Sequence, residues 1–151
     1  WAWGGGELAG SFVHAIGSSV VMVGSSVRSC RSQADGAAIR GFSGATVMVS
    51  GCEFTDVSSD GYGGALSGVG ASLEVHDSNF TNCSSQVGGA ISTADYVCSQ
   101  TDPVVSHLLV DGCAFTACVA TERGGAVSVT SGTASVTAAR FEGCYAGRRG
   151  V

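Results

Sequence analysis

Two short phrases return down this chain in a fixed order, and that recurrence constrains the fold more than any other feature. Gly63-Gly64-Ala65-Leu66 comes back as Gly88-Gly89-Ala90-Ile91 and as Gly124-Gly125-Ala126-Val127. Looser copies stand at Gly5-Gly6-Glu7-Leu8 and Gly36-Ala37-Ala38-Ile39. Each is followed by an aromatic phrase: Phe80-Thr81-Asn82-Cys83, Phe115-Thr116-Ala117-Cys118 and Phe141-Glu142-Gly143-Cys144. Weaker forms are Val27-Arg28-Ser29-Cys30 and Phe54-Thr55-Asp56-Val57. Linked phrases in constant order describe a stack of similar units, each burying its apolar face on the next.

The Gly phrases begin at 5, 36, 63, 88 and 124, and another opens at Gly150. From each aromatic phrase to the next Gly phrase the gap is 8 or 9 residues. In the other direction it is 17 or 18 in the regular units, 22 in the first and 27 in the fourth. This predicts about five coils of 25–27 residues, with insertions in the first and fourth. The whole of 1–151 reads as one solenoid domain, expected to be a slice of a longer solenoid or a protomer that stacks.

Within 63–87 the pattern predicts three strands. Gly63 and Gly64 permit a tight turn and a close backbone approach. Ser72-Leu73-Glu74-Val75-His76 alternates, so Leu73 and Val75 face inward. Asn79 to Cys83 forms the third strand, with Phe80 inward. Three strands per coil give a parallel β-helix of triangular section, its coils about 4.8 Å apart. Equivalent residues then form columns. Val27, Phe54, Phe80, Phe115 and Phe141 make one; Leu8, Ile39, Leu66, Ile91 and Val127 another; Val49, Val75, Val110 and Val136 a third. An antiparallel β-sandwich is the competing architecture, but it does not explain the constant order of the phrases.

Composition narrows the function classes. The chain has no Lys, seven Arg and a net charge of −5, which argues against a nucleic-acid partner. No run of 18 apolar residues exists, so no transmembrane helix is expected. No charged-then-apolar leader opens the chain.

The phrases G-G-A-[ILV] and F-x-x-[NC] resemble the repeats of the polymorphic outer-membrane protein family, over nearly the whole chain. That resemblance implies a secreted passenger domain, a right-handed parallel β-helix of pectin-lyase-like type with an adhesive role at the cell surface. The family commonly has Asn at the fourth place of the second phrase. Here that place holds Cys30, Val57, Cys83, Cys118 and Cys144.

Seven cysteines leave at least one thiol unpaired within the chain. Cys83, Cys118 and Cys144 fall on successive coils, where side chains point side by side and bridging is awkward; the simplest role is small buried filler. Cys52 and Cys113 share one place two coils apart, too far to bridge. Cys98 lies in the fourth insertion and is the best disulfide candidate, with Cys113 or another cysteine of that region its candidate partner. No Cys-x-x-Cys and no Cys/His cluster occurs, so no metal or other cofactor is expected.

A polysaccharide-cleaving β-helix needs carboxylates converging on one face. Glu53, Asp56, Asp60, Glu74, Asp77, Asp111 and Glu142 scatter instead. His76 and Asp111 align one coil apart beside Asp77, a small polar patch that a solvated turn also explains. No catalytic residue is assigned. Asn79-Phe80-Thr81 and Asn82-Cys83-Ser84 are N-glycosylation sequons, making Asn79 and Asn82 candidate glycan sites. The expectation is a non-enzymatic extracellular solenoid, structural or adhesive, with end-to-end self-association and glycans as candidate partners. The alternative is a polysaccharide lyase, a hydrolase or a carbohydrate-binding β-helix.

Overall fold

The computed structural model describes residues 2–8, 11–97 and 103–147. Strand β1 (Ala2–Leu8) is followed by a first rung of β2 (Val13–Ile16), β3 (Ser19–Val23) and β4 (Ser26–Ser32). The second rung is β5 (Ile39–Phe42), β6 (Thr46–Ser50), β7 (Glu53–Thr55) and β8 (Ser58–Ser59). The third is β9 (Leu66–Val69), β10 (Ser72–His76), β11 (Asn79–Thr81) and β12 (Ser84–Val87). The fourth is β13 (Ile91–Ala94), β14 (His107–Asp111), β15 (Ala114–Thr116) and β16 (Val119–Arg123). The fifth is β17 (Val127–Val129), β18 (Thr133–Thr137), β19 (Arg140–Glu142) and β20 (Tyr145–Ala146).

These strands form three parallel sheets, running β2-β5-β9-β13-β17, β3-β6-β10-β14-β18, and a folded third sheet in which β4 joins β7-β11-β15-β19 to β8-β12-β16-β20. The protein is an all-β parallel solenoid of about five turns, with no helix among the described residues. No helix there is long and apolar enough to cross a membrane.

Registration is residue for residue. Val27, Phe54, Phe80, Phe115 and Phe141 pair in succession, as do Ile39, Leu66, Ile91 and Val127. Val49, Val75, Val110 and Val136 form the third column. The rings of Phe54, Phe80, Phe115 and Phe141 stack nearly parallel, with centroids 4.8, 4.9 and 4.9 Å apart. Strand spacing dictates that separation, and it falls within the favourable range for aromatic pairs.

Two expectations need correction. The phrase Gly5-Gly6-Glu7-Leu8 lies in β1, which pairs with β4 and sets Gly6 opposite Cys30 and Leu8 opposite Ser32. Val13, not Leu8, stands opposite Ile39. Measured from Val13, 26 residues before Ile39, the first coil has regular length and no insertion. A Gly pair permits a turn without choosing its neighbour; the pairing strand chooses. The triangular section is also incomplete, because the third side is broken into two strands.

The break has a conformational cause. Ser29, Asp56, Asn82, Ala117 and Gly143 occupy equivalent places with φ of 52°, 55°, 54°, 52° and 61°. Each lies in the left-handed region, which turns the chain between the halves of the folded sheet. The residue that follows, Cys30, Val57, Cys83 or Cys118, then points into the core and is buried. The Gly phrase solves a different problem. Gly63 has φ 66°, and a Cβ on Gly64 would collide with the carbonyl of Gly89 one rung below.

The insertion of the fourth coil lies between β13 and β14. Tyr96 and Val104 pair antiparallel there, exchanging N–H to carbonyl bonds of 3.0 and 2.9 Å. The Tyr96 ring meets Phe42 edge-on at 4.5 Å. The insertion therefore reaches back two rungs.

Candidate functional site

The outward polar residues are largely occupied with tying one rung to the next. Arg28 reaches Glu53 and Arg31 reaches Asp60, each at 3.1 Å. Asn82 donates from Nδ2 to Asp56 Oδ1 at 2.5 Å, and Thr137 donates to Asp111 Oδ1 at 2.7 Å. Arg140 binds Glu142 at 2.9 Å along one strand. His76 and Asp111 are registered neighbours on β10 and β14. Asp77 has φ 46° at the corner after β10, so its place there is conformational. His107 Nδ1 lies 2.7 Å from Thr133 Oγ1 on the next rung. Among the described residues no three His, Cys, Asp or Glu side chains form a group that could hold a metal ion.

Both sequon asparagines are exposed. Asn79 lies on β11 beside the inward Phe80. Asn82 holds the left-handed bend, and its amide is committed to Asp56.

Cys98 lies outside the described residues. Cys30, Cys52, Cys83, Cys113, Cys118 and Cys144 carry free thiols. They do more than fill space. At the corner before the aromatic strand, Ser25, Cys52, Ser78 and Cys113 each donate to the carbonyl two residues back, at 2.9, 3.3, 2.7 and 3.3 Å. Serine and cysteine are interchangeable there because both are small donors. Cys118 donates to the Phe80 carbonyl at 3.5 Å and Cys144 to that of Phe115 at 3.4 Å. Burial raises the Cys30 thiol to about 11 and also raises Cys113 and Cys144. Cys83 is raised first by its hydrogen bond to Cys118 and then by burial. The same bond, received by Cys118, lowers that thiol to about 7.

Three depressions mark the surface of the described residues. A wide groove of about 560 Å³ crosses β8, β12 and β16, lined by Arg31, Ser58, Asp60, Ser84, Gln86 and Thr121 among others. Next to it, Val119, Thr121 and Tyr145 border a second hollow of about 320 Å³. A separate, more enclosed cleft of about 320 Å³ lies on the outer face of β5, β9 and β13. Arg40 and Asp35 form an ion pair in its wall, 3.3 Å apart. Sequence reasoning missed this pair. The available signal was Arg40 itself, in a column whose following rungs carry Ser67, Ser92 and Ser128.

Comparison with known proteins finds no family model, no curated protein and no solved structure that matches this chain.

Proposed function

We propose that this chain is a non-enzymatic extracellular solenoid module, structural or adhesive, with repeats of the polymorphic outer-membrane type on a pectin-lyase-like frame. The observation that supports this most is how the polar surface is used. Charged and amide side chains pair between rungs instead of converging around a point where a bond could be broken. Such a surface holds register over length. The fifth rung also leaves Phe141 and Tyr145 49% and 62% exposed. A further rung laid on β17 to β20, from the same polypeptide or from a second copy, would bury them.

The test immobilises the chain on beads and measures retention on glycan-coated surfaces, while the same preparation is incubated with acidic polysaccharides. Retention without new chain ends is the expected result. Polysaccharide cleavage that disappears in His76→Ala or Asp111→Ala would replace this reading with an enzymatic one. Expression through a eukaryotic secretory pathway is expected to add glycan mass at Asn79, lost in Asn79→Gln, because its amide is free of the inter-rung bond that engages Asn82.

A carbohydrate-binding reading has its own support. The groove along Ser58, Ser84 and Gln86 offers hydroxyl and amide groups in an open trough, the chemistry that recognises sugars.

A further inference from the structure

The thiols of this chain are not spread evenly over the fold. Cys52 and Cys113 share one corner column, but Ser78 stands between them. Cys30 shares a column with Cys83, but Val57 separates the two. Among the described residues only Cys83, Cys118 and Cys144 follow one another on adjacent rungs. Backbone bonds fix that register: the Val119 N–H donates to the Cys83 carbonyl at 2.9 Å, and the Tyr145 N–H to that of Cys118 at 3.1 Å. Each thiol also leans back toward the preceding rung, Cys118 to the Phe80 carbonyl and Cys144 to that of Phe115. The Cys83 and Cys144 thiols both meet Cys118 Sγ, and as donors they make it the most readily ionised of the three.

Access and geometry divide the roles. Cys83 and Cys118 are buried, whereas Cys144 on the fifth rung is half-buried and is the thiol a small solute meets. Burial raises the Cys144 thiol, so its reaction is the slower step. Neighbouring rungs hold Cα atoms about 4.8 Å apart, inside the range a disulfide accepts. Parallel side chains start with Cβ atoms at nearly that separation, above the relaxed value of about 3.8 Å, so closing a bond draws the rungs together. Cys83 and Cys118 lie on rungs flanked on both sides, which resist the movement. Among the described residues β20 has two residues and one neighbour, β16, so Cys144 is free to make the approach. A bridge that displaces the backbone is strained and readily reduced.

We infer that Cys144 and Cys118 form a reversible redox pair: a small hydroperoxide oxidises Cys144, and Cys118 resolves it to a disulfide that fastens the fifth rung to the fourth. In the first step the Cys144 thiolate takes one oxygen from the hydroperoxide; the O–O bond breaks and the alcohol leaves, or water when the oxidant is hydrogen peroxide. In the second, the Cys118 thiolate attacks the Cys144 sulfenic sulfur, and hydroxide leaves and takes a proton to become water. Two thiols and one hydroperoxide thus give one disulfide, one alcohol and one water. A small thiol such as reduced glutathione reopens the bridge by exchange. This role stands apart from the adhesive reading and does not rest on it.

The test exposes the reduced, native full chain to hydrogen peroxide and digests it with trypsin without reduction. Arg123 and Arg140 lie between the two cysteines, so cleavage parts their peptides unless a bridge joins them. A linked pair is expected by mass spectrometry, reversed by reduced glutathione, lost in Cys118→Ser and in Cys144→Ser, and retained in Cys83→Ser. In Cys118→Ser the oxidation should stop at the sulfenic acid, which dimedone captures at Cys144; a cysteine that merely fills space would not show this. Should Cys118→Ser fail to fold, fragmentation of the wild-type linked pair identifies its two sulfurs directly. No linked pair in the wild type, or a bridge from Cys144 to any cysteine other than Cys118, would overturn the assignment. A bridge that resists glutathione would overturn its reversibility.

Discussion

Ala117 shows how much one backbone angle matters here. It sits at φ 52°, in a column otherwise held by Ser29, Asp56, Asn82 and Gly143. The left-handed region costs a residue with a Cβ about 1–2 kcal/mol. Glycine escapes that cost but loses about 0.5–1 kcal/mol of chain entropy. Ala117 is exposed, so no packing is lost with its methyl. Ala117→Gly is therefore expected to stabilise the protein by about 0.5–1 kcal/mol, read from the midpoint of urea unfolding. No gain would mean that the bend is not enforced there. The same bend explains why the fourth place of the aromatic phrase is buried, a feature legible only once the angle before it is known.

At the scale of an element, the phenylalanine column makes a graded prediction. Phe80 is stacked on both faces and fully buried, whereas among the described residues Phe141 is stacked on one face and is half-exposed. Phe80→Ala is expected to cost about 3–5 kcal/mol, and Phe141→Ala about a third of that. Equal losses in denaturant melts would argue against a continuous column. The thiol columns make a pH prediction. Cys30, Cys83, Cys113 and Cys144 have raised values in the fold, so their contribution is complete below the ordinary value of 9.0 and is lost as pH climbs past it, for Cys30 toward about 11. Cys118 is lowered to about 7, so its contribution is present above 9.0 and lost as pH falls through 7. Melting temperature should rise slightly from pH 7 to 9 and fall beyond. A flat profile from pH 9 to 11 would show that these thiols are not buried.

On the scale of the whole molecule, the insertion of the fourth coil is the one long departure from regularity. Its base is closed by the Tyr96–Val104 pairing, and Cys113 lies in the core with its thiol donated to the carbonyls of Val75 and Asp111. Replacing 97–103 by an Asn-Gly turn, which suits a two-residue hairpin, should leave stability within about 0.5 kcal/mol. A loss of about 2 kcal/mol or more would show that the replaced segment itself contributes to holding the fourth coil. The Phe42–Tyr96 contact survives the replacement, so the cleft wall beside Arg40 should survive it too.

Repetition in the sequence determined the parallel stack, because Phe54, Phe80, Phe115 and Phe141 recur at the same place after successive Gly phrases, which leaves few other ways to bury the rings together. It could not decide what a single degenerate phrase does. Gly5-Gly6 reads like the later Gly pairs, yet pairing with β4 carries it to another sheet. Nor could it reveal the cleft. Asp35, Arg40, Tyr62 and Ser67 come from two consecutive coils, and their meeting depends on which outward residues the stacking sets side by side. Periodicity reports which way a side chain points; only the three-dimensional neighbours decide whether its hydrogen bonds are met.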